Sequence, residues 1–268
     1  MLDELAKRWQ IEWGPLIQRG SMSVVIRCCA DGRKAVLKIS PERTRIAHEA
    51  AALASWNTAH VPDVVAVDER VGALLIDAVE PGTPLADSTT DPSVERLVAL
   101  LTALHDGVCD PSYPPVSDRI EYLFEASTKL YEFKPELVEL ISPELYERGR
   151  ALALRLASDA APSVLLHGDL TPVNVLDGGS ARGLVAIDPA PCFGDPAFDA
   201  VDLVFWRAKD AETIAARAEQ LAPPIGSHPR RLFDWCVAFA GMAALEIAER
   251  PGGSHAQVEG LVALAARI

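Results

Sequence analysis

Positive charge is in short supply in this chain: 25 Lys and Arg stand against 38 Asp and Glu, a formal net charge of -13. That balance argues against a nucleic-acid partner, because phosphate backbones are held by clustered basic side chains. It suits a cationic ligand, or simply a soluble surface. Cysteine is sparse and unpatterned. Cys28 and Cys29 are adjacent while Cys109, Cys192 and Cys236 stand alone, so the odd count of five supports neither a disulfide framework nor a metal site, and reduced thiols in a cytoplasm are expected. Long apolar runs are missing too. The longest, Val237 to Leu245, is closed by Glu246, far short of the ~18 to 20 residues that a membrane span requires. Met1 to Trp13 mixes acidic, basic and apolar residues at helical spacing, without the basic start, apolar stretch and small-residue cleavage site of a signal peptide. Neither a membrane nor secretion is expected. There are no internal repeats or low-complexity tracts, and the absence of G-x-G-x-x-G and G-x-x-x-x-G-K-[ST] disfavours a dinucleotide fold and a P-loop nucleotidase.

Apolar residues, by contrast, make up 49% of the 268 positions, enough for one large domain or two lobes sharing a cleft. Two β-like runs, Ser23 to Cys29 and Lys34 to Ile39, flank Asp31-Gly32 as the arms of a hairpin flank its turn. A helical pattern then runs from Pro41 to about Trp56, with Ile46, Leu53 and Trp56 on one face. Strand-like runs follow at Val64 to Asp68 and Ala73 to Ala78, so residues 1–80 read as a small lobe of mostly antiparallel sheet with one helix. Glu80 to Pro84 is a turn-rich joint. Beyond it, residues 81–268 change to Leu- and Ala-rich helical segments such as Val94 to His105 and Leu145 to Ser158. Arg119 to Leu140 is a charged, aromatic-bearing helical stretch with no role assigned. The fold class expected is α+β, two-lobed, with a small antiparallel sheet first and a mostly helical second part.

The chemistry concentrates in His167-Gly168-Asp169-Leu170-Thr171-Pro172-Val173-Asn174, followed across a Gly-rich turn by Ile187-Asp188. Short apolar runs, Val164 to Leu166 and Gly183 to Ile187, bracket this polar segment and would fix it in place. Phosphoryl transfer needs a carboxylate to orient or deprotonate the attacking hydroxyl, and oxygen ligands for the magnesium that bridges the phosphates. Asp169 suits the first need, Asn174 and Asp188 the second. In spacing and wording the segment resembles the catalytic loop of the aminoglycoside phosphotransferase family, within the protein-kinase-like fold, and the lobe order agrees along nearly the whole chain. The stretch from Val164 to Trp206 is most similar to the branch of streptomycin 6-phosphotransferases and hydroxyurea kinases.

Carried over residue by residue, the resemblance implies that Asp169 is the catalytic carboxylate, Asn174 and Asp188 are metal ligands, and His167 supports the loop rather than acting as the base. It implies ATP and Mg2+ between the lobes. Lys38, inside the apolar strand Val36 to Ile39, resembles the lysine that contacts the α and β phosphates, and Glu49, on the same helix face as Ile46, Leu53 and Trp56, is its expected ion-pair partner. Ser21 and Ser23 lie where such folds place a loop over the phosphates, and Asp77 to Val79 is the implied adenine hinge. Asp199, in Gly194-Asp195-Pro196-Ala197-Phe198-Asp199, corresponds to a carboxylate that holds the catalytic loop from below. Two departures stand out. Thr171 replaces the basic residue that such loops place two positions after the catalytic Asp, which leaves the γ-phosphate charge to Lys38 or a second magnesium. Pro189, and not Phe-Gly, follows Asp188.

For the acceptor, Asp202, Trp206, Trp235 and Glu246 pair acidic and aromatic groups that suit a guanidinium or ammonium ligand, although for the two tryptophans plain core is the favoured reading. The expected activity is transfer of phosphate from ATP to a hydroxyl of a small, cationic molecule, an aminoglycoside such as streptomycin, by a monomer or weak homodimer. Two alternatives stay open: a metabolic kinase for an amino sugar, a hydroxyurea-like compound or an amine, and a non-catalytic nucleotide-binding scaffold.

Overall fold

The structure is a computed structural model that describes residues 2–17, 23–107, 113–159 and 161–268. Helix α1 (Leu2–Trp9) opens the chain and is followed by strands β1 (Ile11–Ile17), β2 (Val24–Ala30) and β3 (Arg33–Ile39), helix α2 (Arg43–Trp56), and strands β4 (Val64–Asp68) and β5 (Ala73–Asp77). The strands form one antiparallel sheet in the order β1-β2-β3-β5-β4. The β2–β3 hairpin turns on Asp31 (φ 48°) and Gly32 (φ 74°), the pair of positive φ angles that a two-residue turn needs to follow the twist of its strands.

This part of the chain carries one helix and one strand more than the sequence pattern predicts. The helical spacing of the first residues stops at Trp9, where Gln10 takes a positive φ of 52° and reverses the chain into β1. β1 shows no alternation in burial and its register slips between Trp13 and Leu16, around Gly14 and Pro15. A Cβ at Gly14 would come 2.6 Å from the Arg27 carbonyl oxygen, so glycine is what lets the strand lie close to β2.

The sheet buries both faces. Leu5 of α1 closes a small cluster with Ile11, Ala35, Leu37, Ala73 and Leu75 on one side. On the other, Leu74 and Ile76 meet Ile46, Leu53 and Trp56 of α2 in a cluster continuous with the core of the helical remainder.

That remainder comprises β6 (Thr83–Pro84), α3 (Val94–His105), α4 (Val116–Phe133), α5 (Pro143–Ser158), β7 (Val164–Leu166), β8 (Val175–Asp177), the short α6 (Gly179–Arg182), β9 (Leu184–Ala186), β10 (Cys192–Gly194), α7 (Ala197–Phe205), α8 (Ala211–Leu221), α9 (Pro229–Glu249) and α10 (His255–Ala265). α4 stops at Phe133 because Pro135 cannot continue the helix, and a 3-10 turn over Pro135–Glu139 takes its place. α9 is the pillar of this half, packing against α5, α7, α8 and α10. Its Trp235 and Phe239 meet Phe198 of α7, and Phe239 also meets Phe124 of α4, in tilted and edge-on ring contacts. Two minimal sheets, β10-β7 and β6-β8-β9, lie where the polar segment runs. No helix among the described residues is long and apolar enough to cross a membrane.

Candidate active site

β7 drives Leu165 and Leu166 fully into the core and delivers His167 at its end. His167 is buried, and both ring nitrogens are engaged: Nε2 meets the Ile187 carbonyl oxygen at 3.0 Å, and Nδ1 accepts from the Asp169 N–H at 3.3 Å. Those partners assign the proton to Nε2. Burial pushes the imidazole pKa below its ordinary value despite the surrounding carboxylates, so it is held neutral. With no ring nitrogen left over, His167 is a brace, not a base. Trp56 of α2 stacks on it at 6.1 Å.

Gly168 has φ 75°, and a Cβ there would sit 2.0 Å from the Ala190 carbonyl oxygen. Glycine therefore permits the close approach of the 167–174 loop to the segment after Asp188. The two are laced by bonds from Ala190 N–H to His167 O (2.8 Å) and from Ile187 N–H to Asn174 O (2.9 Å). Beneath them, Asp199 of α7 accepts from the backbone N–H groups of His167 (2.8 Å) and Gly168 (2.9 Å), with His105 Nε2 at 3.3 Å. Burial alone would raise this carboxyl, but those donors hold it below the usual range. Its place under the loop is the one expected from the sequence.

Asp169 is 30% exposed, so it can meet a ligand, yet both its oxygens are already oriented. Asn174 Nδ2 donates to Oδ2 at 3.1 Å and to the Asp169 carbonyl at 2.9 Å. Arg119 of α4 approaches Oδ1 at 3.1 Å and donates from Nε to the Gly168 carbonyl at 2.7 Å. Sequence reasoning missed Arg119: it stands 49 positions before Gly168, and its only local sign is a cation in the first turn of a helix, where the dipole disfavours one.

Asp188 follows β9 with φ 58°, a left-handed conformation that a non-glycine residue holds only when its surroundings over-determine it. Its carboxylate pairs with Lys38 of β3 and lies 3.5 Å from Arg45 of α2. Burial raises this carboxyl, but Lys38 first and Arg45 second outweigh it, and Asp188 is held below the ordinary range. Lys38 Nζ also meets Glu49 at 2.6 Å, with side-chain exposures of 8% and 1%. The Lys38–Glu49 pair anticipated from the strand and helix patterns is therefore formed. Breaking it by removing one partner would strand a buried charge.

Asn174 and Asp188 suit magnesium. The Asn174 amide nitrogen is committed to Asp169, which turns its side-chain oxygen the other way, and Asp188 contributes a carboxylate. No group of three His, Cys, Asp or Glu side chains converges among the described residues. A magnesium ion that keeps its waters and phosphate ligands needs no such cage; one carboxylate and one amide oxygen are an ordinary protein share.

The remaining expected positions divide. Ser23 lies just before β2, whose Val25 pairs with Lys38, while Ser21 falls outside the described residues. The Asp77 N–H is committed to the Asp63 carbonyl (3.0 Å) and its side chain to Arg182 (2.7 Å), and the Ala78 N–H donates to Lys34 (3.1 Å). The Asp77 amide and carboxylate are thus engaged within the protein, and Val79 is buried beyond the strand end. Asp202 of α7 and Glu246 of α9 do face the catalytic loop closely enough for the Asp169 charge to raise both their carboxyls. Asp202 is open to solvent, yet the protein packed around it desolvates the carboxyl, which with Glu246 and Asp169 nearby is pushed up to about 7. Glu246 is raised chiefly by burial and accepts from Ser127 Oγ at 3.0 Å.

The tryptophans are elsewhere. Trp235 is fully buried and donates from its indole to Asp195 at 2.7 Å, so no face of it is left for a ligand. Trp206 lies under the Arg207 guanidinium, 4.7 Å from its ring centroid, and lines a recess with Leu85, Asp91 and Arg217 that contains none of the loop residues. Both fit the favoured reading, in which they pack the protein.

These features place the chain in a recognisable class. Residues 8–250 match the aminoglycoside/hydroxyurea antibiotic resistance kinase family, and the chain belongs to it. It is 28% identical over 208 residues to a streptomycin 6-kinase of Streptomyces griseus, covering 76% of this chain and 64% of that one. It is 26% identical over 242 residues to a hydroxyurea phosphotransferase of Kitasatospora aureofaciens, covering 87% and 68%. The chain thus spans less than two thirds of the length of the Streptomyces griseus relative. Among solved structures, a choline kinase of Streptococcus pneumoniae superposes with a TM-score of 0.65 over 99% of this chain and 97% of the other, at 13% identity, which shows a shared fold.

Proposed function

We propose that this chain is an ATP- and magnesium-dependent phosphotransferase acting on a hydroxyl of a small cationic molecule, an aminoglycoside such as streptomycin. The observation that carries the reading is Asn174 bonded to Asp169 in one loop, with Asp188 on the segment laced to that loop and paired with Lys38 of the sheet. Residues 1–80 serve as the nucleotide lobe and residues 81–268 as the acceptor lobe. Lys38, kept in place by Glu49, faces the phosphates, the Val79 backbone meets the adenine, and Ser23 stands beside the phosphate-covering loop. Asp169 accepts a hydrogen bond from the acceptor hydroxyl, aims its oxygen in line with the γ-phosphorus, and takes its proton as the new oxygen–phosphorus bond forms and the bond to the β–γ bridging oxygen breaks, with ADP leaving. Magnesium, bound by Asn174 and Asp188, would neutralise charge on the phosphates. Asp202 and Glu246 offer carboxylates beside Asp169 for the acceptor's ammonium or guanidinium groups. Among the described residues Cys28, Cys29, Cys192 and Cys236 are unpaired, which fits work in the cytoplasm.

The test is a coupled ADP-release assay over streptomycin, other aminoglycosides, hydroxyurea, choline and simple amino sugars. Streptomycin should give turnover, and Asp169→Ala should lose it by at least ~10²-fold while still binding ATP. Turnover only with hydroxyurea, choline or an amino sugar would move the acceptor class. ATP binding without turnover on any acceptor would favour a scaffold.

A further inference from the structure

Position 171 carries a threonine where a cation would be expected to steady the reacting centre, yet a cation is present in space. Arg119 stands in the first turn of α4, a place where the helix dipole opposes positive charge, and it is only 14% exposed. Such a charge is retained where partners compensate it. Arg119 has three: the Asp169 Oδ1 atom at 3.1 Å, the Gly168 carbonyl at 2.7 Å and the Tyr122 ring, whose centroid lies 5.2 Å from the guanidinium carbon. One guanidinium thus grips the loop's backbone and its carboxylate together, the planar fork geometry that lysine cannot reproduce.

The side chain is itself held in a rigid frame. Val116 and Ile120, one turn apart around it, are buried in the core. The start of α4 is tied to β10 by the Phe193 N–H donating to the Pro114 carbonyl at 3.0 Å and by the Pro115–Phe193 bridge. β10 in turn pairs with β7, through Cys192 with Leu166, directly ahead of the catalytic loop. Arg119 and Asp169 are therefore mounted on the same small framework, approaching each other from opposite ends of it. Asn174 fixes the second carboxylate oxygen at 3.1 Å, so the carboxylate plane is set from both sides. The same cation also acts electrostatically on Asp202, at the acceptor side.

We propose that Arg119 is the positioning residue of the transfer step, clamping the Asp169 carboxylate against the Gly168 carbonyl in the orientation that receives the acceptor hydroxyl, in place of a cation at position 171. This inference rests on the phosphotransferase reading. Orientation of this kind affects the transition state far more than ground-state binding, so it is read in kcat rather than in KM.

The experiment is steady-state phosphorylation of whichever acceptor the intact protein turns over, using the wild type and the Arg119→Ala, Arg119→Gln and Arg119→Lys variants, with melting temperatures recorded alongside. Arg119→Ala should lower kcat by ~10- to 100-fold while the KM for ATP stays within about 2-fold. Arg119→Gln, which can still donate to Gly168 but carries no charge to Asp169, should melt close to the wild type and remain slow. Arg119→Lys should recover part of kcat. Undiminished kcat in the Ala and Gln variants beside an active wild type would overturn the proposal. So would a loss of kcat that Gln restores fully, since that would reduce Arg119 to a loop anchor. A wild type inactive on every acceptor would sink the kinase reading and this inference with it, an outcome distinct from either of the others.

Discussion

At the scale of single residues, the carboxylates of the cleft are not equivalent. Asp188 is held down by Lys38 and Arg45, whereas desolvation, with Glu246 and Asp169 nearby and only the Arg250 and Arg119 charges to offset them, pushes the Asp202 carboxyl up to about 7. Asp202 is therefore neutral below that value and anionic above it. A cationic acceptor seated against it should bind better as pH rises, with its KM falling between about pH 6 and about pH 8, and Asp202→Asn should flatten that dependence. Stability moves the opposite way. A carboxyl whose folded pKa is raised costs the folded state more as pH climbs from the ordinary carboxylate range through about 7, so Asp202→Asn should gain melting temperature over the wild type as pH increases. Parallel melting curves at acid and alkaline pH would show that Asp202 is not desolvated. Asp169 and Asn174 could be read in the sequence because their spacing along one loop is itself the signal, and Asp188 because the apolar run Gly183 to Ile187 delivers it just beyond. Arg119 could not, since only the fold brings it there, and Trp235 stayed open between two readings because an aromatic ring at helical spacing looks the same whether it faces a ligand or the core.

At the scale of elements, local chemistry predicted what local forces decide. The hairpin was readable because Asp31-Gly32 can adopt the two positive φ angles of its turn. β1 was not, because its strand character comes from pairing with β2 and its own residues do not alternate. The contact of β10 with α4 is equally invisible in sequence and equally consequential. A Cβ at Gly194 would meet Val116 Cγ1 at 2.5 Å and Cβ at 2.7 Å, so Gly194→Ala must push the start of α4 away from the loop. Overpacking of this kind should cost ~1 to 3 kcal/mol, read as a lower melting temperature, and the displacement of Arg119 should lower kcat as well. A variant with unchanged melting temperature and turnover would mean that α4 is not wedged against β10.

At the scale of the whole molecule, the net charge of -13 sets a field that attracts cations to any acidic recess. Salt screens exposed charges over ~10 Å at 0.1 M, so the KM for streptomycin should rise with ionic strength while kcat, set in the partly enclosed centre, changes less. A KM indifferent to salt would remove charge attraction from acceptor recognition.

The side chains around Lys38 have a mechanical consequence. Lys38 comes from the sheet, Glu49 and Arg45 from the helix packed on it, and Asp188 from the helical half, and they alternate in sign along the chain of contacts Glu49, Lys38, Asp188, Arg45. Two unit positive and two unit negative charges cancel within this group, so it acts as a latch between the halves rather than as a repulsive gap between two charged walls. In the proposed kinase, Asp188 would hold the metal and Lys38 the phosphates, so that binding would exchange one set of attractions for another. The latch would then be opened by the very charges that its residues go on to hold.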